Sequence, residues 1–205
     1  MTLPESTGYS PVDHRRTWSS FRMSAAFVVF YRNMNLGHRN SPSRSILEDA
    51  LLEAGASSAR SFQTNGTVVI ETGDAAPAEV VRRAAPRLLT VSGYADAAFV
   101  RPLDRLAAIL DRDPFAGAGD ERTYRETFTF FDGVQEFGAP IPWRNGRGDV
   151  EIIEIGDGVA LSVLRRIGAR AGSPTAEVEL RLKVPATTRT AGTITRLVKA
   201  FTGRR

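Results

Sequence analysis

Apolar side chains come in two spacings along this chain, and the switches between them mark its elements. Ala25–Tyr31 (AAFVVFY) is an unbroken apolar run with β-formers, short enough for a strand buried on both faces. Ser41-Pro42 then opens a helix. Ile46, Leu47, Ala50, Leu51 and Ala54 share one face of it, and Glu48, Asp49 and Glu53 point the other way. Gly55 is a natural stop. Two short β-runs follow around Asn65-Gly66, a pair that suits a tight hairpin because both residues tolerate positive φ. Val68, Val69 and Ile70 continue the second run. Asp74 and Pro77 start a second helix through Val80, Val81, Ala84 and Leu88, which Pro86 is expected to kink or shorten. Ala97–Val100 is a fourth strand. The order β-α-β-β-α-β predicts a ferredoxin-like unit, with two helices covering one face of a four-stranded antiparallel sheet.

The second half is less regular. Pro102–Leu110 reads as a helix ending before Asp113-Pro114-Phe115, and Ala116–Asp120 as a Gly/Ala loop. Tyr124–Phe131 is a strand rich in Thr and Phe. Gly138–Gly148 is a Pro/Gly/Arg loop carrying Trp143. Val150–Ile155 and Val159–Leu164 form a hairpin around Gly156-Asp157-Gly158. Val178, Leu180, Leu182 and Val184 alternate with charged residues, which predicts a strand. Thr190 can cap a last helix that buries Ile194, Leu197, Val198 and Phe201. The expected fold class is therefore α+β. A ferredoxin-like βαββαβ unit occupies residues 23–101, and a second, smaller mixed α+β unit with a basic C-terminal helix occupies 102–205. Residues 1–22 are polar, carry no signal-peptide core, and are expected to form a flexible extension.

Composition changes this picture in three ways. The 205 residues contain no Cys, which removes disulfides, thiol nucleophiles and thiolate metal sites, and fits a cytoplasmic location. No apolar run approaches the roughly 18 residues of a membrane helix, so no membrane partner is expected. Charge is uneven. From Leu180 to Arg205 there are seven basic residues and no acidic one, leaving 20 basic against 23 acidic elsewhere. The sequence pI of 9.9 thus belongs to the C-terminal segment. Such an end attracts phosphates or nucleic acid, although charge runs are most often solvated faces.

Arg32-Asn33-Met34-Asn35-Leu36-Gly37-His38-Arg39-Asn40, directly after the first strand, resembles R-G-I-N-V-G-G-K-N. That is a signature of the domain-of-unknown-function 1697 family. Arg60 through Ile70 is similar to that family's R-T-Y-I-Q-S-G-N-V-V-F segment. Thr187–Thr193 resembles its T-T-R-N-W-N-T motif, and Asp113-Pro114-Phe115 its mid-chain N-P-F. The resemblance implies a two-part α+β structure of ferredoxin-like type, and no established activity. It also implies a helix over Pro174–Lys183, against the strand read from alternation. The chain departs from the family pattern at Asn33 and His38, at Asn65 and Thr67, and at Thr190, Ala191 and Gly192, which points to a different ligand if those positions bind one.

A polar turn at the end of a central strand is a common ligand site. Arg32, Arg39 and Arg189 can pair bidentately with phosphate or carboxylate. Asn35 and Asn40 can donate and accept, and Gly37 admits close backbone approach. Thr188 lies just before a helix N-terminus, where free N–H groups favour an anion. These residues, Arg32, Asn35, Arg39, Asn40, Thr188 and Arg189, form the expected anion site. His38 is the candidate acid or base, the one group there with an ordinary pKa near neutrality. The same residues could instead only cap the helix and bond loop backbones. Two His and no Cys speak against zinc, and Gly117-Ala118-Gly119 lacks the third Gly of a dinucleotide loop, so no metal or cofactor is implied. The leading expectation is a binder of an anionic small molecule, or an enzyme acting on one. A nucleic-acid-binding module ranks behind it, followed by a partner-binding domain without ligand. The oligomeric state is not legible.

Overall fold

The computed structural model describes residues 25–133, 136–168 and 171–203; the expected extension over 1–22 lies outside them. The first six elements run β1 (Ala26–Tyr31), α1 (Arg44–Glu53), β2 (Ala56–Phe62), β3 (Thr67–Thr72), α2 (Pro77–Ser92) and β4 (Ala98–Pro102). They form an antiparallel sheet in the order β2-β3-β1-β4. β1 is interior, pairing with β3 on one side and β4 on the other. Its unbroken apolar run is explained by what lies on each side. Val29 and Tyr31 pack with α1 and α2 beside Leu47, Leu51, Val80 and Leu88. Val28 and Phe30 point the other way, into a core shared with the second half of the chain.

That half continues with α3 (Leu103–Asp111), β5 (Thr123–Phe131), β6 (Trp143–Arg144), β7 (Val150–Gly156) and β8 (Val159–Arg165). It ends with α4 (Pro174–Leu182), β9 (Ala186–Thr190) and α5 (Ala191–Thr202). The second sheet, expected in a smaller unit, has five strands to the first sheet's four, in the order β6-β7-β8-β5-β9. Phe128 and Phe130 on β5 join Val28, Phe30 and Phe99 from the first sheet, with Leu106 of α3 and Ile194 and Leu197 of α5. Phe30 and Phe130 stack across this seam, with centroids 3.8 Å apart and planes within 8°. Phe115, from the Asp113-Pro114-Phe115 motif, meets Phe128 edge-on. That motif therefore plugs the core. On the outer face of the second sheet, α4 covers Phe131, Ile152 and Ala160 with Val178 and Leu182.

The strand expected from the Val178–Val184 alternation is instead helix α4. Ser173 caps it, accepting from the Ala176 N–H, and Pro174 occupies its first turn. Val178 and Leu182 are four apart, so they satisfy a helical face as well as alternation. Leu180, between them, is exposed. The β2–β3 hairpin forms, but Phe62 pairs with Thr67, so its loop is Gln63-Thr64-Asn65-Gly66 rather than a two-residue turn. Positive φ falls on Gln63 (62°) and Gly66 (66°). A Cβ at Gly66 would lie 2.7 Å from the Met34 Cβ, so glycine there answers both backbone and space. Helix α2 passes through Pro86 and continues to Ser92, so it is not shortened. Strands β6 and β9 have no counterpart in the sequence reading. β9 occupies the segment just before the last helix, and Thr190 caps α5 as expected.

Candidate functional site

The turn after β1 is built by alternation carried past the strand's end. Met34 and Leu36 turn inward and are buried, while Asn33, Asn35 and His38 to Asn40 face solvent. Backbone bonds fix it: Tyr31 N–H donates to Gly66 O at 2.8 Å, Leu36 N–H to Thr64 O at 2.7 Å, and Gly37 N–H to Pro42 O at 2.9 Å. Asn33 and Asn40 adopt φ of 52° and 55°, a conformation that asparagine tolerates better than most residues. The Ser41 hydroxyl accepts from the Asn35 N–H at 3.0 Å.

Arg32 does not face an open site. Its Nη1 donates to both oxygens of Asp96 at 3.0 and 3.1 Å, and its Nε donates to Glu179 Oε1 at 2.9 Å and Ala186 O at 3.2 Å. Burial opposes its charge, but Asp96 and Glu179 outweigh that and hold its pKa above the ordinary value. Asn33 also donates to Asp96, at 2.8 Å. Arg189 is more deeply committed, with 7% of its surface exposed. Nε donates to Thr67 Oγ1, Nη1 to Thr187 Oγ1 and Thr188 O, and Nη2 to Tyr31 O and Asn65 O, all at 2.6–3.0 Å. All five guanidinium N–H donors are thereby used. Burial pulls its pKa down to about 10, still far above neutrality, so it is charged at pH 7. Thr188 shares hydroxyl bonds with Thr129 at 2.9 Å and Thr175 at 2.6 Å. The Tyr94 hydroxyl donates to Arg32 O at 2.7 Å.

The expected site thus divides in two. Arg32 ties the turn to Glu179 of α4 and Ala186 of β9, Arg189 reaches the carbonyls of Tyr31 and Asn65, and Thr188 is bonded to Thr129 and Thr175. Asn35, His38, Arg39 and Asn40 are exposed on its outer rim, and among the described residues none of their side chains has a hydrogen-bond or ionic partner. No described residue orients the His38 ring, as a general base would need.

Two hollows, the first of them beside the turn, were missed by the sequence reading. One, of about 540 Å³, runs between α2 and the β1–β4 edge and is lined by Tyr31, Val81, Ala85, Leu88, Leu89 and Tyr94. Asp96 stands at its rim and links it to the turn through Arg32 and Asn33. Its signal in the sequence was the small residues Ala78 and Ala85 beside Pro86 on one flank of α2. The other, of about 520 Å³, lies between the Pro114–Gly119 loop and β7. Its charges are paired internally. Buried Arg165 holds Glu151 at 2.6 Å and Asp120 at 2.7 Å, and Arg144 holds Glu151 at 3.1 Å. The bond from Arg165 keeps the Asp120 carboxyl below its usual range.

Among the described residues no cluster of three or more His, Asp or Glu could hold a metal ion, and no helix is long and apolar enough to cross a membrane. A family model described as "Protein of unknown function (DUF1697)" matches residues 24–159. The match takes in the turn and the hairpin, and ends before the Thr187–Thr193 segment. Among solved structures, a conserved bacterial protein from Streptococcus pneumoniae superposes with a TM-score of 0.57 at 16% identity, over 85% of this chain and 97% of that one. At that identity the likeness concerns the fold alone. No curated protein matches the sequence.

Proposed function

Given that the chain belongs to the DUF1697 family, whose function is unknown, we propose that it is a cytoplasmic protein binding an anionic small molecule at the turn after β1. The supporting observation is Arg39. It is an exposed cation without an ionic partner among the described residues, set on a turn whose backbone is held from three sides. Asn35 and Asn40 flank it with free amide donors, and His38 adds a further ring donor. Arg32 and Arg189 serve this site by positioning the turn, since a ligand anion would have to displace Asp96 and Glu179 from the first and five acceptors from the second. An enzymatic version would need the ligand itself to orient His38.

A nucleic-acid role has less support. Phe128, Phe130 and Phe131, the residues that could stack bases, are buried. Helix α5 buries Ile194 and Leu197 against the core and leaves only Arg196 and Lys199 exposed among its described basic residues.

Melting temperature in the presence of inorganic phosphate, adenosine monophosphate and citrate tests the proposal. At least one of them is expected to raise it, less so at high salt because the site is exposed. Arg39→Ala should abolish the rise while changing ligand-free stability by no more than about 0.5 kcal/mol. If no anion raises the melting temperature, or Arg39→Ala responds like the parent, the reading is wrong.

A further inference from the structure

The groove between α2 and the β1–β4 edge joins an apolar hollow to a cation that is only partly matched. Ala78, Arg82, Ala85 and Leu89 fall at i, i+4, i+7 and i+11, so they form one row along its α2 wall. Small side chains in that row leave a hollow of about 540 Å³, in the range of small-molecule pockets. The two tyrosines of the lining offer a ligand no hydroxyl. That of Tyr31 is closed to solvent, and that of Tyr94 donates to Arg32 O at 2.7 Å. The other side chains of the lining are apolar, apart from Arg82 and Asp96.

Those two charged groups differ in what they can still bind. Asp96 is saturated. One of its oxygens accepts from Arg32 Nη1 and the Ala97 N–H, and the other from Arg32 Nη1 and Asn33 Nδ2. Arg82 is not. Its Nε and Nη2 each donate to Glu79 at 2.7 Å, which leaves three of the five guanidinium N–H donors without a partner among the described residues. Glu79 also accepts from Arg83 at 2.8 Å, so one carboxylate serves two cations. Glu79 lies outside the groove lining, and the Arg82 side chain is 74% exposed and open to a ligand. We propose that the groove binds a small monocarboxylate with an apolar chain, its carboxylate on Arg82 and its chain along Ala85 towards Leu89. The free edge of a guanidinium suits a carboxylate in charge and shape. Arg82 and Leu89 are seven residues apart, about 10 Å along the helix, which gives the chain room to bury. This site is separate from the turn and does not depend on Arg39 holding an anion.

The test follows amide shifts by NMR on the full chain with butanoate, hexanoate and octanoate, and with hexan-1-ol as a neutral probe. Shifts are expected in α2 and over Tyr94–Ala98. Affinity for the acids should rise about 2- to 4-fold with each added methylene, the worth of burying one. Arg82→Gln should weaken hexanoate about 3- to 5-fold, the range of an exposed ion pair, and leave hexan-1-ol as it was. Arg82→Lys, which keeps the charge, should retain most of the hexanoate affinity. Ala85→Trp, at an exposed position on the groove wall, should abolish the shifts of all four probes by filling the space. Excess inorganic phosphate at matched ionic strength should leave the hexanoate shifts in place, since phosphate has no apolar part to bury, and this separates the groove from the turn. The inference is overturned if no probe shifts those amides, if the three acids bind alike, if Arg82→Gln changes hexanoate and hexan-1-ol equally, if Ala85→Trp binds like the parent, or if phosphate displaces hexanoate.

Discussion

Arg189 shows how one side chain can make a remote segment rigid. It lies on the last strand, yet it donates to carbonyls at the end of β1 and in the β2–β3 loop. Those carbonyls sit where ladder partners run out, so the guanidinium closes two open accounts of backbone polarity at once. A planar fork with five donors can do this, and an ammonium cannot. Arg189→Met is therefore expected to cost about 3–5 kcal/mol in urea denaturation, because Tyr31 O, Asn65 O and Thr188 O lose their donor in a buried setting. Arg189→Lys should not restore the loss. A cost below about 1 kcal/mol for Arg189→Met would show that the turn is held by its own backbone bonds.

Among the elements, α2 carries a readable charge device. Glu79 in its first turn accepts from Arg82 and Arg83, and these bonds hold its carboxyl at about 2, against an ordinary 4.5. A lowered folded-state pKa stabilises the fold while the group is ionised. The contribution is present above pH 4.5 and fades as pH falls towards 2. Melting temperatures of the parent and Glu79→Gln should accordingly differ at pH 7 and converge near pH 2, by a modest amount since the group is at the surface.

Most elements were legible because one periodicity fitted them and the other did not. β1 and α5 are examples, the first a short continuous run and the second an amphipathic face behind a Thr cap. α4 is ambiguous by periodicity because Val178 and Leu182 satisfy both spacings; the helix that the family resemblance implies is the one Ser173 and Pro174 start. β9 was missed because Thr187 to Thr190 is polar. Its burial comes from pairing with β5 and from Arg189 lying in the seam, neither of which leaves an apolar trace. For the same reason the acceptors that engage Arg32 and Arg189 across the fold left no mark in the sequence. A sequence shows that an arginine is present and not which acceptors lie across the fold. The groove leaves only the trace of Ala78 and Ala85 on α2, because a hollow is made by small residues opposite one another in space.

For the whole molecule, the seam between the sheets is what binds the two halves. Phe30 and Phe130 face each other across it, and Arg101 spans it, bonding Asp132, Phe131 O and Gly158 O. Any Cβ at Gly158 would run into that guanidinium. A core drawn from both sheets has no free surface along which one half could melt alone. Heat and urea unfolding are therefore expected to show a single transition, coincident by near-UV and far-UV circular dichroism. Phe130→Ala should lower stability by about 3–5 kcal/mol while keeping the transition single. Two resolved transitions would mean that each sheet carries its own stability.

The reach of Arg189 also sets an order in time. It meets the carbonyls of Tyr31 and Asn65 across 158 and 124 residues of sequence. A ribosome adding roughly 5–20 residues per second takes about 8–32 s to span the longer interval. For that time the turn after β1 lacks the Arg189 bonds, and Val28, Phe30 and Phe99 lack the cover that α5 later gives. The strand that carries this lock is therefore made long after the turn it holds.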